Sequence, residues 1–264
     1  MLLPNQHGEV ALNQLAGVRI VLVEPASSGN IGSVARVMKN TGIAQLVLVK
    51  PRPDWDVGET RALAHGAGDI LDSAVQTADL NSAVADCQVV VGTTHRDGRQ
   101  RDAIHPPDRI VEKIRPLLGN ASVAIVFGRE KDGLWQDELR LCQYLVRFPS
   151  AVLYPSYNLS HAVLLFAYAL FSSTQTTPSV SHPTPPVPHA ERERLFTAME
   201  TALQSIGFVH YNRDPQHFMG AVRRFFNKVD LVERDLRVVL KICQQIQRFS
   251  RRNRPAREDG PTNE

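Results

Sequence analysis

Five short apolar runs constrain this chain more than any other feature. They are Val18–Val23 (V-R-I-V-L-V), Gln45–Val49 (Q-L-V-L-V), Cys87–Val91 (C-Q-V-V-V), Val123–Phe127 (V-A-I-V-F) and Leu145–Phe148 (L-V-R-F). Runs this short and this rich in β-branched residues read as strands. Their hydrophobicity is nearly unbroken rather than alternating, which marks strands covered on both faces. The segments between them carry helical spacing. After the first strand, Ile31, Val34, Ala35 and Met38 form an apolar stripe, with Asn30 as a candidate N-cap and Gly42 where a C-cap glycine belongs. Arg36 and Lys39 fall off that stripe. Helices are expected over Asp69–Ala85 and Pro107–Leu118, with Pro51–Gly68 as loop. Asn158 is placed to cap a further helix whose apolar face is Ala162, Val163, Phe166, Ala167 and Leu170. Strand alternating with helix predicts an α/β fold: a mostly parallel sheet with helices on both faces.

The alternation ends at a linker. Residues 174–189 (T-Q-T-T-P-S-V-S-H-P-T-P-P-V-P-H) are rich in Pro, Ser and Thr and have no core-forming pattern. The expected domains are therefore residues 1–173, a linker at 174–189, a small helical C-terminal extension at 190–252 and a disordered tail at 253–264. Within the extension, helices are expected at Ala190–Ser205, after Asp214-Pro215, and at Leu231–Phe249.

Composition excludes several classes. No apolar run approaches the length needed to cross a bilayer, and the first ten residues lack the basic start and apolar middle of a signal peptide. Cys87, Cys142 and Cys243 are odd in number and far apart, which fits a reducing cytoplasm and neither a disulfide framework nor a zinc site. The expectation is a cytoplasmic protein with no metal and no membrane partner. The net charge of +3 is mildly basic, and Lys241, Arg248, Arg251, Arg252, Arg254 and Arg257 cluster toward the end of the chain. That cluster suits phosphate, or a solvated helix end equally well.

Ligands of open α/β sheets bind beyond the carboxyl ends of the strands. Three loops there carry small and hydrogen-bonding residues. S-G-N-I-G-S-V-A-R follows the first strand and reads as an anion-binding helix start or as a tight turn. T-T-H-R-D-G-R-Q-R follows the third and reads as a phosphate contact or as a solvated loop. F-G-R-E-K-D-G-L follows the fourth, where Gly128 permits close approach of a ligand and Glu130 reads as holding a donor or as favouring a helix start near Leu134. Beyond the fifth strand, P-S-Y-N-L-S brings Ser156 and Asn158 to the same end of the sheet. There is no G-x-G-x-x-G, no G-K-[ST], no carboxylate pair and no Ser/His/Asp arrangement. A reaction needing little acid-base help fits best. Methyl transfer from a sulfonium is one, because the leaving group is a neutral thioether and catalysis rests on alignment and electrostatic support.

With these residues in place, the chain resembles the SPOUT superfamily of RNA methyltransferases, in its 2′-O-ribose branch. The three motifs that carry the likeness are N-I-G-S-V-A-R (Asn30, Gly32, Arg36), I-V-F-G-R-E-K-D-G-L (Gly128, Glu130, Gly133) and P-S-Y-N-L-S-H-A-V (Ser156, Asn158), within residues 18–172. The V-L-V-E-P opening and M-G-A-V-R-R-F-F-N-K in the extension resemble the bacterial enzymes that methylate the ribose of cytidine or uridine 32 in tRNA. The resemblance implies a C-terminal trefoil knot and a homodimer. It implies S-adenosylmethionine as cofactor, with S-adenosylhomocysteine as product, held by Thr93, Thr94, His95, Gly128, Phe148, Pro155, Ser156 and Tyr157. It implies Arg36 as the main catalytic residue, Ser156 and Asn158 as catalytic positioning groups, and Arg96 and Arg99 as RNA contacts. This loop departs from the usual pattern at His95 and D-G-R-Q-R. An rRNA or another tRNA nucleotide as substrate, or a non-catalytic RNA-binding protein of the same fold, are the competing readings.

Overall fold

The structure is a computed structural model that describes residues 14–95, 104–152, 157–175, 184–208 and 215–252. The chain divides into two compact units, Met1–Ala190 and Glu191–Glu264. The first is a seven-stranded sheet in the order β3-β2-β1-β6-β4-β7-β5, parallel throughout its named pairs. Its elements in chain order are β1 (Val18–Val23), α1 (Ser28–Thr41), β2 (Gln45–Val49), α2 (Val57–Ala64), α3 (Gly68–Asp72), β3 (Val75–Thr77), α4 (Leu80–Val84), β4 (Val89–Thr93), β5 (Ile104–His105) and α5 (Pro107–Ile114), followed by a short 3₁₀ turn. Then come β6 (Val123–Phe127), α6 (Gln136–Leu141), β7 (Tyr144–Val146) and α7 (Leu159–Thr174).

The apolar runs form strands because both of their faces are buried. Along β1, Val18, Ile20 and Leu22 enter one core layer and Val21 and Val23 the other. Along β6, Val123, Ile125 and Phe127 face the first layer and Ala124 and Val126 the second. Helix α1 and helix α7 pack on the first side, and α7 buries Val163, Phe166, Ala167 and Leu170 as its spacing requires. Helices α4 and α6 cover the other side through Leu80, Ala83, Val84 and Leu139. Sheet, parallel sense and helices on both faces are as expected.

Four local expectations are corrected. Asn30 does not cap α1. Ser27 does, its hydroxyl accepting the Asn30 amide at 3.3 Å, and this places Asn30 inside the first turn with its side chain free for other partners. Pro51–Gly68 is not all loop, since Asp56 accepts the Glu59 amide at 3.0 Å and starts α2. Asp69–Ala85 is not one helix but α3, the edge strand β3 and α4. The runs at Cys87 and Leu145 pair slightly out of the expected frame, at Val89–Thr93 and Tyr144–Val146, with the two-residue β5 added outside β7. Gly42 does end α1, with φ of 74°.

The second unit contains α8 (His189–Ser205, beginning at the boundary), α9 (Pro215–Asn227) and α10 (Glu233–Arg252). Glu193 and Arg223 tie α8 to α9 with two contacts of 2.5 and 2.8 Å, and Arg223 lies 4.5 Å over the Phe196 ring. Phe226 meets Phe196 edge-on. Of the basic cluster, Lys241, Arg248, Arg251 and Arg252 lie on α10, and Arg254 and Arg257 fall outside the described residues.

Candidate active site

A cavity of about 270 Å³ opens beyond the carboxyl ends of β4, β6 and β7, three neighbours in the sheet. Thr93, Thr94 and His95 leave β4 into it, Gly128 to Leu134 leave β6, and Arg147 and Phe148 leave β7. Tyr157, Leu159 and Ala162 close the wall from the start of α7. Six of the eight residues expected to hold a cofactor therefore line one cavity: Thr93, Thr94, His95, Gly128, Phe148 and Tyr157. Pro155 and Ser156 lie outside the described residues, as do Arg96 and Arg99.

The wall combines apolar surface with fixed polar edges. Phe148 is buried and meets the Tyr157 ring edge-on at 6.0 Å, while the Tyr157 hydroxyl donates to the Pro149 carbonyl at 2.8 Å. The Thr93 hydroxyl donates to Val126 O at 3.1 Å, and the Thr94 amide donates to Val146 O at 2.9 Å, which stitches the β4 end to both neighbouring strands. Gly128 is needed for the loop itself. A Cβ there would stand 2.1 Å from the carbonyl carbon of Gly133, because the chain doubles back and Arg129 and Gly133 exchange backbone hydrogen bonds of 3.3 and 2.9 Å. Gly133 turns the chain with φ of 67°, in the region that favours glycine. Gly32 has a packing role: a Cβ would stand 2.1 Å from Thr60 O, so glycine lets α1 and α2 approach.

Beside the cavity the three motifs are joined by hydrogen bonds. Glu130 accepts from the Ala26 amide at 2.9 Å, from the Ser27 amide at 3.2 Å and from the Asn30 side chain at 3.0 Å. Asn30 Oδ1 in turn accepts from Asn158 Nδ2 at 2.9 Å. Asn158 Oδ1 caps α7 by accepting the Ser160 amide and hydroxyl at 2.9 and 2.7 Å. Burial alone would raise the Glu130 pKa, but the Asn30 side chain and the backbone amides outweigh it and hold the carboxylate below its ordinary value. A negative group at the α1 N-terminus also suits the helix dipole. Sequence reasoning placed Asn158 correctly and noted that Glu130 was free to hold a donor. That the donor is Asn30 was hidden by reading Asn30 as a cap.

The two arginines of these motifs differ. Arg129 is clamped between two carboxylates: Glu24 at 2.6 and 3.0 Å and Glu138 at 2.9 and 3.0 Å. Burial opposes its charge, and the bonds to Glu24 and Glu138 more than reverse this, so its pKa is raised. The same bond to Arg129 is what chiefly holds Glu24 below the usual carboxylate range. Arg36 lies on the exposed side of α1, about 9 Å along the axis from Asn30 at the usual helical rise. Among the described residues it pairs with no carboxylate.

Other chemistries find no support among the described residues. No group of His, Cys, Asp and Glu is arranged to hold a metal ion. Burial pushes the Cys87 and Cys142 thiols up to about 12, far from the depressed values of nucleophilic cysteines. No helix is long and apolar enough to cross a membrane.

Comparison with known proteins agrees with this geometry. The model of the SpoU rRNA Methylase family matches residues 17–168, which include β1 through most of α7. The tRNA (cytidine/uridine/adenosine-2′-O-)-methyltransferase TrmJ of Pseudomonas aeruginosa is 34% identical over 246 residues, 89% of this chain and 95% of that protein. The tRNA (cytidine/uridine-2′-O-)-methyltransferase TrmJ of Escherichia coli is 35% identical over 247 residues, 91% of this chain and 99% of its own. Among solved structures, TrmJ from Z. mobilis ZM4 superposes with a TM-score of 0.73 at 28% identity, covering 87% of this chain and 98% of that one. A parallel sheet, a cavity at the ends of three adjacent strands, and three motifs bonded around it thus coincide with a match over more than half the sequence, and the chain belongs to the SpoU rRNA Methylase family of RNA methyltransferases.

Proposed function

We propose that this protein transfers a methyl group from S-adenosylmethionine to a ribose 2′-hydroxyl of tRNA, at cytidine or uridine 32 of the anticodon loop. The observation that carries the reading is the Glu130–Asn30–Asn158 chain, which brings the three motifs together beside the cavity. The relatives named as tRNA enzymes align over about nine-tenths of this chain, helical extension included, and this favours tRNA over rRNA.

The cavity fits the proposed cofactor. Apolar walls at Phe127, Leu134, Phe148 and Leu159 suit a purine face, and the Thr93 and Thr94 hydroxyls and strand-end backbone suit its polar edges. When bound, S-adenosylmethionine supplies an electrophilic methyl on a sulfonium and leaves as a neutral thioether. Thr93, Thr94, His95, Gly128, Phe148, Pro155, Ser156 and Tyr157 are the residues assigned to hold it. Arg36 is not assigned as the base, since a guanidinium is a poor one. Its role is to orient the 2′-hydroxyl or a neighbouring phosphate and to favour the developing negative charge. Asn158, held by Asn30, positions the groups at the start of α7, and Ser156 stands two residues before it. Arg96 and Arg99 are assigned to the RNA.

We assign the reaction to residues 1–173, with a trefoil knot in the C-terminal part of that domain, and substrate or subunit contacts to the helices of 190–252. The strand order supports the knot, since β6 returns between β1 and β4 and β7 passes to the far side of β4. The working form is a homodimer in the cytoplasm. Leu164, Leu165 and Tyr168 support a dimer: they sit together on α7 with 42, 43 and 61% of their surfaces exposed.

The test incubates purified protein with S-adenosylmethionine and bulk unmodified tRNA and maps the product by mass spectrometry. A 2′-O-methyl group at nucleotide 32 is expected. A methyl elsewhere in tRNA would keep the chemistry and replace the position. Methylation of rRNA alone would replace the substrate. Cofactor binding with no methylation of either RNA would leave a non-catalytic RNA-binding protein.

A further inference from the structure

Trp135 is out of place by every local rule. It occupies the N-cap position of α6, where Ser, Thr, Asp or Asn normally accepts an amide of the first turn. An indole donates only and caps nothing. The helix start is held instead by Glu138, which accepts the Trp135 amide at 2.6 Å. Nor is the ring a core residue, since 47% of Trp135 is open to solvent. Its position is nevertheless fixed. The Arg129 guanidinium lies 3.5 Å over the ring centroid, and Glu24 and Glu138 hold that guanidinium with four hydrogen bonds. The chain immediately before it, Gly133 and Leu134, forms the wall of the cavity, as does Arg129 itself.

We infer that Trp135 is a preformed stacking platform for an unpaired base of the RNA substrate, one that lies beside the ribose being methylated. One side of the indole is backed by a cation whose charge is already matched by two carboxylates. The remaining exposed surface is flat and largely apolar, and the two residues before Trp135 in the chain, Gly133 and Leu134, line the cavity. Single-stranded RNA is recognised largely by stacking its splayed bases on aromatic rings, and such contacts tolerate any base because every base has a π face. Lys131 lines the same cavity and brings positive charge for an adjoining phosphate. The inference rests on the proposed function and adds a specificity contact to it.

The chain has two tryptophans, which allows a direct reading. Trp55→Phe leaves Trp135 as the only indole, and its emission is expected to be quenched on titration with unmodified tRNA. Trp135→Phe leaves Trp55, whose emission is expected to change little. In the methylation assay, Trp135→Ala raises KM for tRNA roughly tenfold or more, within the range of a stacked base. Its affinity for S-adenosylmethionine stays within about twofold of the parent. Trp135→Phe restores most of the KM, because a smaller aromatic still stacks. An unquenched Trp135 in the Trp55→Phe protein would overturn the inference. So would a KM for tRNA unchanged in Trp135→Ala, or a Trp135→Ala protein that merely dissociates from dimer to monomer in sedimentation. Quenching does not depend on turnover: a protein that methylates no RNA would refute the proposed function, and the quenching result would still decide the platform.

Discussion

Arg129 and Arg36 are carried by two motifs of one site and are treated in opposite ways. Arg129 is nearly buried, with its side chain 9% exposed, doubly paired and covered on one face by Trp135. Arg36 is exposed on α1, unpaired among the described residues, and close in sequence to Asn30, which is locked by Glu130 and Asn158. A guanidinium that already has two carboxylates has nothing left to give a substrate. One held by its helix alone, with its donors open, is available to an incoming phosphate or hydroxyl. The contrast fits Arg129 to building the β6 loop and favours the proposed part of Arg36 in the chemistry.

The largest effect expected from breaking this contrast is on stability, at Arg129. Arg129→Ala leaves Glu24 and Glu138 facing one another without their cation, and removing one partner of a largely buried pair costs about 3 kcal/mol. Thermal denaturation would check it, and an unchanged melting temperature would make Arg129 as dispensable as a surface arginine. Next is Gly128→Ala. Its methyl meets the Gly133 backbone at 2.1 Å, so the loop must shift, and a displacement of that size in a positioned site lowers turnover by roughly 10²-fold. Calorimetric titration with S-adenosylmethionine would show whether cofactor affinity falls with it, as the proposed use of the cavity predicts.

Much of this was legible in the sequence and some was not, for physical reasons. The buried strands announce themselves because a central parallel strand must be apolar on both faces, as Val18–Val23 and Val123–Phe127 are. Strands β3 and β5 carry no such signal, since Val75 and Gln76 are exposed at an edge and Ile104–His105 is only a two-residue pairing. Helix α2 was hidden because it buries only Thr60 and Ala64, although D-x-x-E at Asp56 and Glu59 marked its start. The residues around the cavity were legible as motifs. Their mutual bonds were not, because Glu130 and Asn30 are a hundred positions apart in the chain and meet only once β1 and β6 pair in register.

Smaller effects test how the motifs are joined. The Glu130 pKa lies below its ordinary value in the folded protein, so its contribution is complete above that ordinary value and is lost as pH falls through the folded one. Glu130→Gln keeps the shape and removes the titration. Its stability against pH should be flatter than the parent's on the acid side, with a loss of about 1 to 2 kcal/mol near neutrality. Identical acid limbs would show that Glu130 is not what fastens the α1 start. The smallest effect is at Asn158. Asn158→Ala removes the α7 cap and the bond to Asn30, for about 1 kcal/mol of stability. Asn158→Ser restores the cap without reaching Asn30, so the loss it still shows against the parent isolates the link between motifs.

The most direct test of the assignment is the single-turnover rate of methyl transfer by Arg36→Ala at saturating S-adenosylmethionine and tRNA, measured beside its cofactor dissociation constant. The account predicts a rate lower by roughly 10²- to 10³-fold, the range seen when one charge-stabilising donor is removed from an active site, with cofactor affinity within about twofold of the parent. A rate close to the parent's, or an equal loss of rate and cofactor affinity, would contradict it.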